Sequence, residues 1–257
     1  MDDLLTTNRL SLCPSGAHLT SADTSLGELF YVSSTTSHGN GHAIRGGVPL
    51  IAPWFGNLWG KRPNHGWART SDWRVTADVV GINATLELDD LELDVHVAEL
   101  PEGVRLELTA KNLGSDTVPV QLGFHPYFRV SHVAEVTVEG LSGATGLNRV
   151  TDATAKQHGD VHIDGQYDWI FSHSAPATIV DPGLGRAITI TSEGADSTVV
   201  WNPGPEDGAT IPDVGPGEWS DFLCVEPALL GEDLKGYPLA PGAEVRLAMD
   251  VVAAPLA

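Results

Sequence analysis

Apolar residues recur at every second position along much of this chain, and that period admits strands and little else. Leu91, Leu93, Val95 and Val97 alternate with Glu92, Asp94, His96 and Ala98. Val104, Leu106, Leu108 and Ala110 alternate with Arg105, Glu107, Thr109 and Lys111. Similar alternation runs through residues 118–124, 136–138 and 245–247, and residues 187–191 form a shorter β-branched run. A period of two sends one set of side chains to each face of a pleated strand, so these segments read as half-buried strands. Turn clusters punctuate them: Pro101-Glu102-Gly103, Asn112-Leu113-Gly114, Asp181-Pro182-Gly183 and Pro241-Gly242. No stretch supports a helix of about ten residues, and neither a βαβ alternation nor an internal repeat is present. The expected fold is all-β: one domain over residues 1–257, a large antiparallel sandwich.

The chain of 257 residues is long enough to bury a core, and 42% hydrophobic with 19% charged residues is globular composition. Fourteen Lys and Arg against 34 Asp and Glu leave a formal charge of -20. That balance argues against nucleic acid or an anionic membrane as the main partner. The opening Met-Asp-Asp-Leu-Leu-Thr-Thr-Asn-Arg lacks the basic segment and apolar run of a signal peptide. No apolar run approaches the ~20 residues of a membrane span. Cys13 and Cys224 make neither a disulfide framework nor a four-ligand zinc site. A cytoplasmic monomer is the economical expectation.

Residues 45–74 depart from the acidic background. Arg45, Lys61, Arg62, Arg69 and Arg74 face a single acid, Asp72, among tryptophans, glycines and prolines. Guanidinium forks, aromatic faces and glycines that let backbone approach a ligand suit a polar, anionic small molecule. A solvated basic loop over a tryptophan core is the structural alternative. Two residues elsewhere stand out. In residues 118–124 the apolar set is Val118, Val120, Leu122 and Phe124, so His125 follows Gln121 onto the opposite face, away from the main core. Glu226 ends a run, Asp221-Phe222-Leu223-Cys224-Val225, at a break expected from Pro227, and shares its face with Phe222 and Cys224. Semi-apolar neighbours raise a carboxylate's pKa and make it a better base. A structural role at a strand end is the alternative. His158-Gly-Asp-Val-His162 offers metal-ligand types, but glycine and aspartate oppose a helix there and no third ligand follows.

Seven segments together resemble the aldose 1-epimerase (galactose mutarotase) superfamily, and more closely its hexose-6-phosphate mutarotase branch. They are Ile44-Arg45-Gly46-Gly47-Val48-Pro49, Pro53-Trp54-Phe55-Gly56, His65-Gly66-Trp67-Ala68-Arg69, Phe124-His125-Pro126-Tyr127-Phe128-Arg129, Tyr167-Asp168, Val200-Trp201-Asn202-Pro203 and Cys224-Val225-Glu226-Pro227. The resemblance implies a β-supersandwich of the galactose mutarotase type with a sugar cleft open on one sheet. It implies His125 as general acid, Glu226 as general base, and His65 and Asp168 as ligands of sugar hydroxyls and the anomeric centre. Arg45 and Arg69 correspond to arginines of the phosphorylated-sugar branch, with Lys61 and Arg62 nearby in a more variable loop. Two positions depart: Gly204 stands where the branch often has an aromatic residue, and Pro126 where it often has threonine.

Anomer exchange requires ring opening, rotation about C1–C2 and closure. A proton leaves the anomeric hydroxyl while another reaches the ring oxygen, which suits a carboxylate and an imidazole near neutral pH. Positioned groups of this kind contribute about 10² to 10⁴-fold each. The expected substrate is a hexose 6-phosphate, glucose 6-phosphate first, with no metal or other cofactor. The alternatives are an epimerase of unphosphorylated sugars, a non-catalytic sugar-binding homologue, or a glycosidase if Asp168 and Glu226 flank a glycosidic bond.

Overall fold

The computed structural model describes residues 4–37, 41–77 and 81–256. The Met1-Asp2-Asp3 start used in reading the N-terminus lies outside them. Among the described residues, the alternating segments assemble into a nine-stranded antiparallel sheet. At its heart Gly103–Asn112 lies between Leu91–Leu100 and Glu244–Pro255. The register matches like with like: Val95 faces Leu108, Val97 faces Leu106, and Met249 and Val251 continue the rows opposite Leu106 and Val104. All of these side chains are buried, and each such burial stabilises by roughly 1.5–3 kcal/mol. The intervening Arg105, Glu107 and Thr109 remain half-exposed, as a period of two requires.

A second large sheet packs over the first through one apolar cluster that includes Leu106, Leu108, Val200, Leu223 and Val225. Its central strands run Thr145–Asn148, Tyr167–Phe171, Ser197–Asn202, Phe222–Leu229 and Leu122–Phe124, with Tyr127–Arg129 also paired to Phe222–Leu229. A four-stranded sheet near the N-terminus begins with Leu5–Thr6 and ends with Gly27–Glu28. Every strand pair among the described residues is antiparallel, and the longest described helix is Gly204–Gly208. No described helix is long and apolar enough to cross a membrane.

Two local expectations are corrected. Residues 118–124 are not one strand. Val118–Val120 pairs with Tyr237–Leu239, whereas Leu122–Phe124 pairs with Leu50–Ile51 and Phe222–Leu229. Gln121 is the hinge between them and is fully buried. Its amide donates to Leu230 O at 3.1 Å and Leu234 O at 2.9 Å and accepts from Phe55 N–H at 2.8 Å. It bolts backbone together and does not line the cleft beside His125.

Pro227 does not end its strand either, which continues through Leu229. On one side Ser197–Asn202 pairs along residues 224–228. On the other, Tyr127–Arg129 pairs with Phe222, Leu223 and Cys224, and Leu122–Phe124 pairs with Ala228 and Leu229. Pro227 therefore lies opposite an interruption in the neighbouring ladder, where a missing N–H is tolerated.

Replacing Gln121 with leucine leaves the buried Phe55 N–H without a partner, whereas Leu230 O keeps the Gly236 N–H and Leu234 O keeps the Trp59 Nε1–H. A buried group left unmet costs about 1–3 kcal/mol, so Gln121→Leu is expected to lose roughly 2 kcal/mol in urea unfolding. A loss below about 1 kcal/mol would remove Gln121 from this role.

Candidate active site

Residues directly opposite one another in antiparallel strands share a face, so register alone maps the second sheet's outer face. One row runs Asp168, Trp201, Cys224, Tyr127 across four strands. The adjacent row carries Ile170, Val199 and Glu226. The intervening Val200, Leu223 and Val225 point into the core. His125 enters from the interruption between Leu122–Phe124 and Tyr127–Arg129, opposite the stretch that holds Glu226. Asp168, Trp201, Val199, Glu226 and His125 floor a cleft of about 410 Å³ whose walls include Phe55, Asn57, His65 and Ile211, while Cys224 and Tyr127 are buried and do not line it.

His125 and Glu226 meet at the floor, with Nε2 to Oε1 at 3.5 Å. Both are buried, Glu226 to 1% exposure, yet His125 Nδ1 and Glu226 Oε2 have no hydrogen-bond partner. Burial, then the charge of Asp168, pushes the Glu226 carboxyl well above the usual carboxylate range, with Arg69 opposing. Burial, then His65, Arg69 and Arg45, holds His125 well below the ordinary imidazole value. His125 stacks on Tyr127 at 4.9 Å and meets Trp201 edge-on at 5.7 Å, which fixes its plane.

His65 comes from the basic stretch and meets the His125 ring edge-on at 5.4 Å. Its Nδ1 accepts from Gly56 N–H at 3.3 Å, so the neutral ring carries its proton on Nε2. The following Gly66 sits at φ +74, and a Cβ there would stand 1.9 Å from Ala52 O. Only glycine allows this approach. Burial, then Arg69, Arg45 and Arg149, lowers His65 to about 3.

Three arginines line the cleft. Arg45 donates to Tyr127 Oη at 2.7 Å and pairs with Asp213 at 3.0 Å. Arg149 donates to Asn57 Oδ1 at 3.1 Å. Arg69 donates to Asn64 O at 3.0 Å, but its Nε is buried without a partner. No described carboxylate forms an ion pair with Arg69, and burial lowers its proton affinity.

The aldose 1-epimerase family model matches residues 7–251. The chain belongs to the aldose 1-epimerase family. It is 31% identical over 246 residues to a Cenchrus ciliaris protein named as a candidate glucose-6-phosphate 1-epimerase, covering 85% of this chain and 73% of that one. An Escherichia coli protein named in the same way is 30% identical over 247 residues, covering 88% and 82%. The crystal structure of a candidate mutarotase from Salmonella typhimurium superposes with TM-score 0.85 at 25% identity, covering 99% of this chain and 92% of that one.

Of the residues singled out from sequence, this aldose 1-epimerase family member brings Arg45, His65, Arg69, His125, Asp168 and Glu226 to one cleft. Lys61 is elsewhere: its Nζ lies 5.1 Å from the Trp54 ring and 5.3 Å from Trp59, beside a separate cavity with Asp89, Asp90 and Asp116. Arg62 is exposed and does not line the cleft. Sequence reasoning missed Arg149, whose backbone N–H donates to Asp168 O at 2.8 Å. It lies in a turn after Thr145–Asn148 with no motif around it, so no local signal marked it. The glycine departure has a backbone cause. Gly204 has φ +68, and a Cβ would stand 2.5 Å from Gln166 N, so an aromatic residue does not fit this turn.

The unfolded chain binds a proton on His65 below about 6.5 that the folded chain refuses until about 3. This residue therefore makes the fold less stable as pH falls across that window. In an NMR titration its ring resonances should stay constant from pH 8 to about 5, and a midpoint near 6.5 would contradict this environment.

Proposed function

We propose that the protein interconverts the α and β anomers of a hexose 6-phosphate, glucose 6-phosphate foremost. The observation that carries the phosphate reading is Arg69, a guanidinium with a buried, unpartnered Nε and no carboxylate paired to it among the described residues. A charge left unpaired beneath the surface is costly, and a phosphate dianion would supply its missing partner. Arg45 and Arg149 extend the same positive wall in a chain of formal charge -20. The relatives' names are consistent with this substrate.

In this reading Glu226 removes the proton of the anomeric hydroxyl as His125 protonates the ring oxygen, and the roles reverse on closure. Asp168 and His65 hold sugar hydroxyls, with the neutral His65 ring presenting Nε2–H as a donor. Burial favours the pair's proton on Glu226 and a neutral His125. Phosphate on Arg45 and Arg69 would screen two of the charges that depress His125, favouring the imidazolium–carboxylate arrangement that ring opening uses.

Magnetisation-transfer NMR tests the reaction directly. The protein should speed anomer exchange of glucose 6-phosphate and leave glucose near its spontaneous rate. Faster exchange of glucose alone would return the cleft to unphosphorylated aldoses. Glu226→Gln should lower turnover at least 10²-fold while sugar binding persists. Arg69→Ala should raise KM for the phosphate ester at least tenfold and leave that of the parent sugar nearly unchanged, whereas equal effects on both would defeat the phosphate assignment.

A further inference from the structure

The Asp168–Trp201–Cys224–Tyr127 row places a fully buried thiol on the same sheet face as Glu226, two residues away along one strand. One ligand atom from each of His125, Cys224 and Glu226 lies within 4.8 Å of the other two. The 3.5 Å between His125 Nε2 and Glu226 Oε1 is long for a charge-assisted hydrogen bond. It is close to the roughly 3.4 Å that separates two corners of a tetrahedron around a zinc ion with bonds of about 2.0–2.2 Å. A second observation also points to a ligand. Glu226 Oε2 and His125 Nδ1 are buried without partners, so the carboxylate has a free oxygen and the imidazole is not committed to one tautomer. We propose that His125, Cys224 and Glu226 form a binding site for a thiophilic divalent cation of the zinc class, and that its occupancy closes the cleft to the sugar.

The donor set is selective. Thiolate, imidazole and carboxylate favour Zn²⁺, Cd²⁺ and Co²⁺, whereas Mg²⁺ and Ca²⁺ prefer all-oxygen shells. When the ion binds, the Cys224 S–H bond breaks and its proton passes to buffer, as does the Glu226 proton where one is present. Three metal–ligand bonds form, no group is oxidised or reduced, and the fourth position faces the cleft for water. Arg45, Arg69 and Arg149 oppose a dication, but the thiolate and carboxylate bring two negative charges to meet it. The three ligand atoms lie within 4.8 Å of one another, so completing the tetrahedron draws them closer together around the ion. The ion would occupy both groups assigned to proton transfer, so it would act as an inhibitor. The site stands on geometry alone, and only the block on anomer exchange rests on the proposed reaction.

Metal-free protein titrated with Co²⁺ decides the matter without reference to activity. The expected result is a thiolate-to-cobalt charge-transfer band in the near ultraviolet that saturates at one ion per chain and is displaced by Zn²⁺. Cys13→Ser should retain the band and Cys224→Ser should lose it. Zn²⁺ should slow anomer exchange, a chelator should restore it, and Cys224→Ser should raise the half-inhibiting concentration at least tenfold. Absence of the band in the wild-type protein, its persistence in Cys224→Ser, or an unchanged Zn²⁺ midpoint would overturn the proposal. If Cys224→Ser does not fold, the wild-type spectrum decides alone.

Discussion

The strand Phe222–Leu229 is gripped along one side by Ser197–Asn202 and on the other only near its ends. The gap between those grips sets the geometry of the cleft. It admits Pro227 without ending the strand, and it releases His125 and Pro126 from the ladder so that the imidazole turns toward Glu226. Both groups thereby hang from a sheet whose opposite face is committed to the core, with Val225 and Leu223 fully buried beneath.

Dryness and charge then divide the work. Burial alone would leave an ordinary carboxylic acid beside a neutral imidazole. The arginines make the cleft responsive to what enters it, because Arg69 and Arg45 both depress His125. His65 tolerates that positive field by staying neutral, its Nδ1 held by the Gly56 N–H. Asp213 occupies Arg45 while Arg69 has no acidic partner among the described residues. Within a strongly acidic chain, this local inversion of sign would draw an anion toward one cleft.

Lys61 shows the limit of reading charge along a sequence. It lies between Arg45 and Arg69 in the chain and contributes to the same basic run, yet its ammonium rests over Trp54 and Trp59 beside another cavity. Charge density along a chain says nothing of direction when the segment is a turn-rich loop, because no period orients the side chains. His125 shows the opposite case. Its parity within 118–124 directed it away from the core even though that segment breaks into two strands at Gln121, and it lines the cleft.

The amino-acid sequence by itself determined the β class, the antiparallel pairing and the inward set of the long strands, because a period of two leaves a half-buried strand few other arrangements. It also carried, through ordered short segments, the family to which the chain belongs. Only the tertiary structure decided which cations share a cleft, that Arg149 joins them, that Gln121 is a buried bolt, and that Cys224 faces the acid–base pair. The reason is physical. Faces within a strand follow from local alternation, whereas neighbours across a sheet depend on register and on where a ladder is interrupted, and those are settled only when distant segments pair.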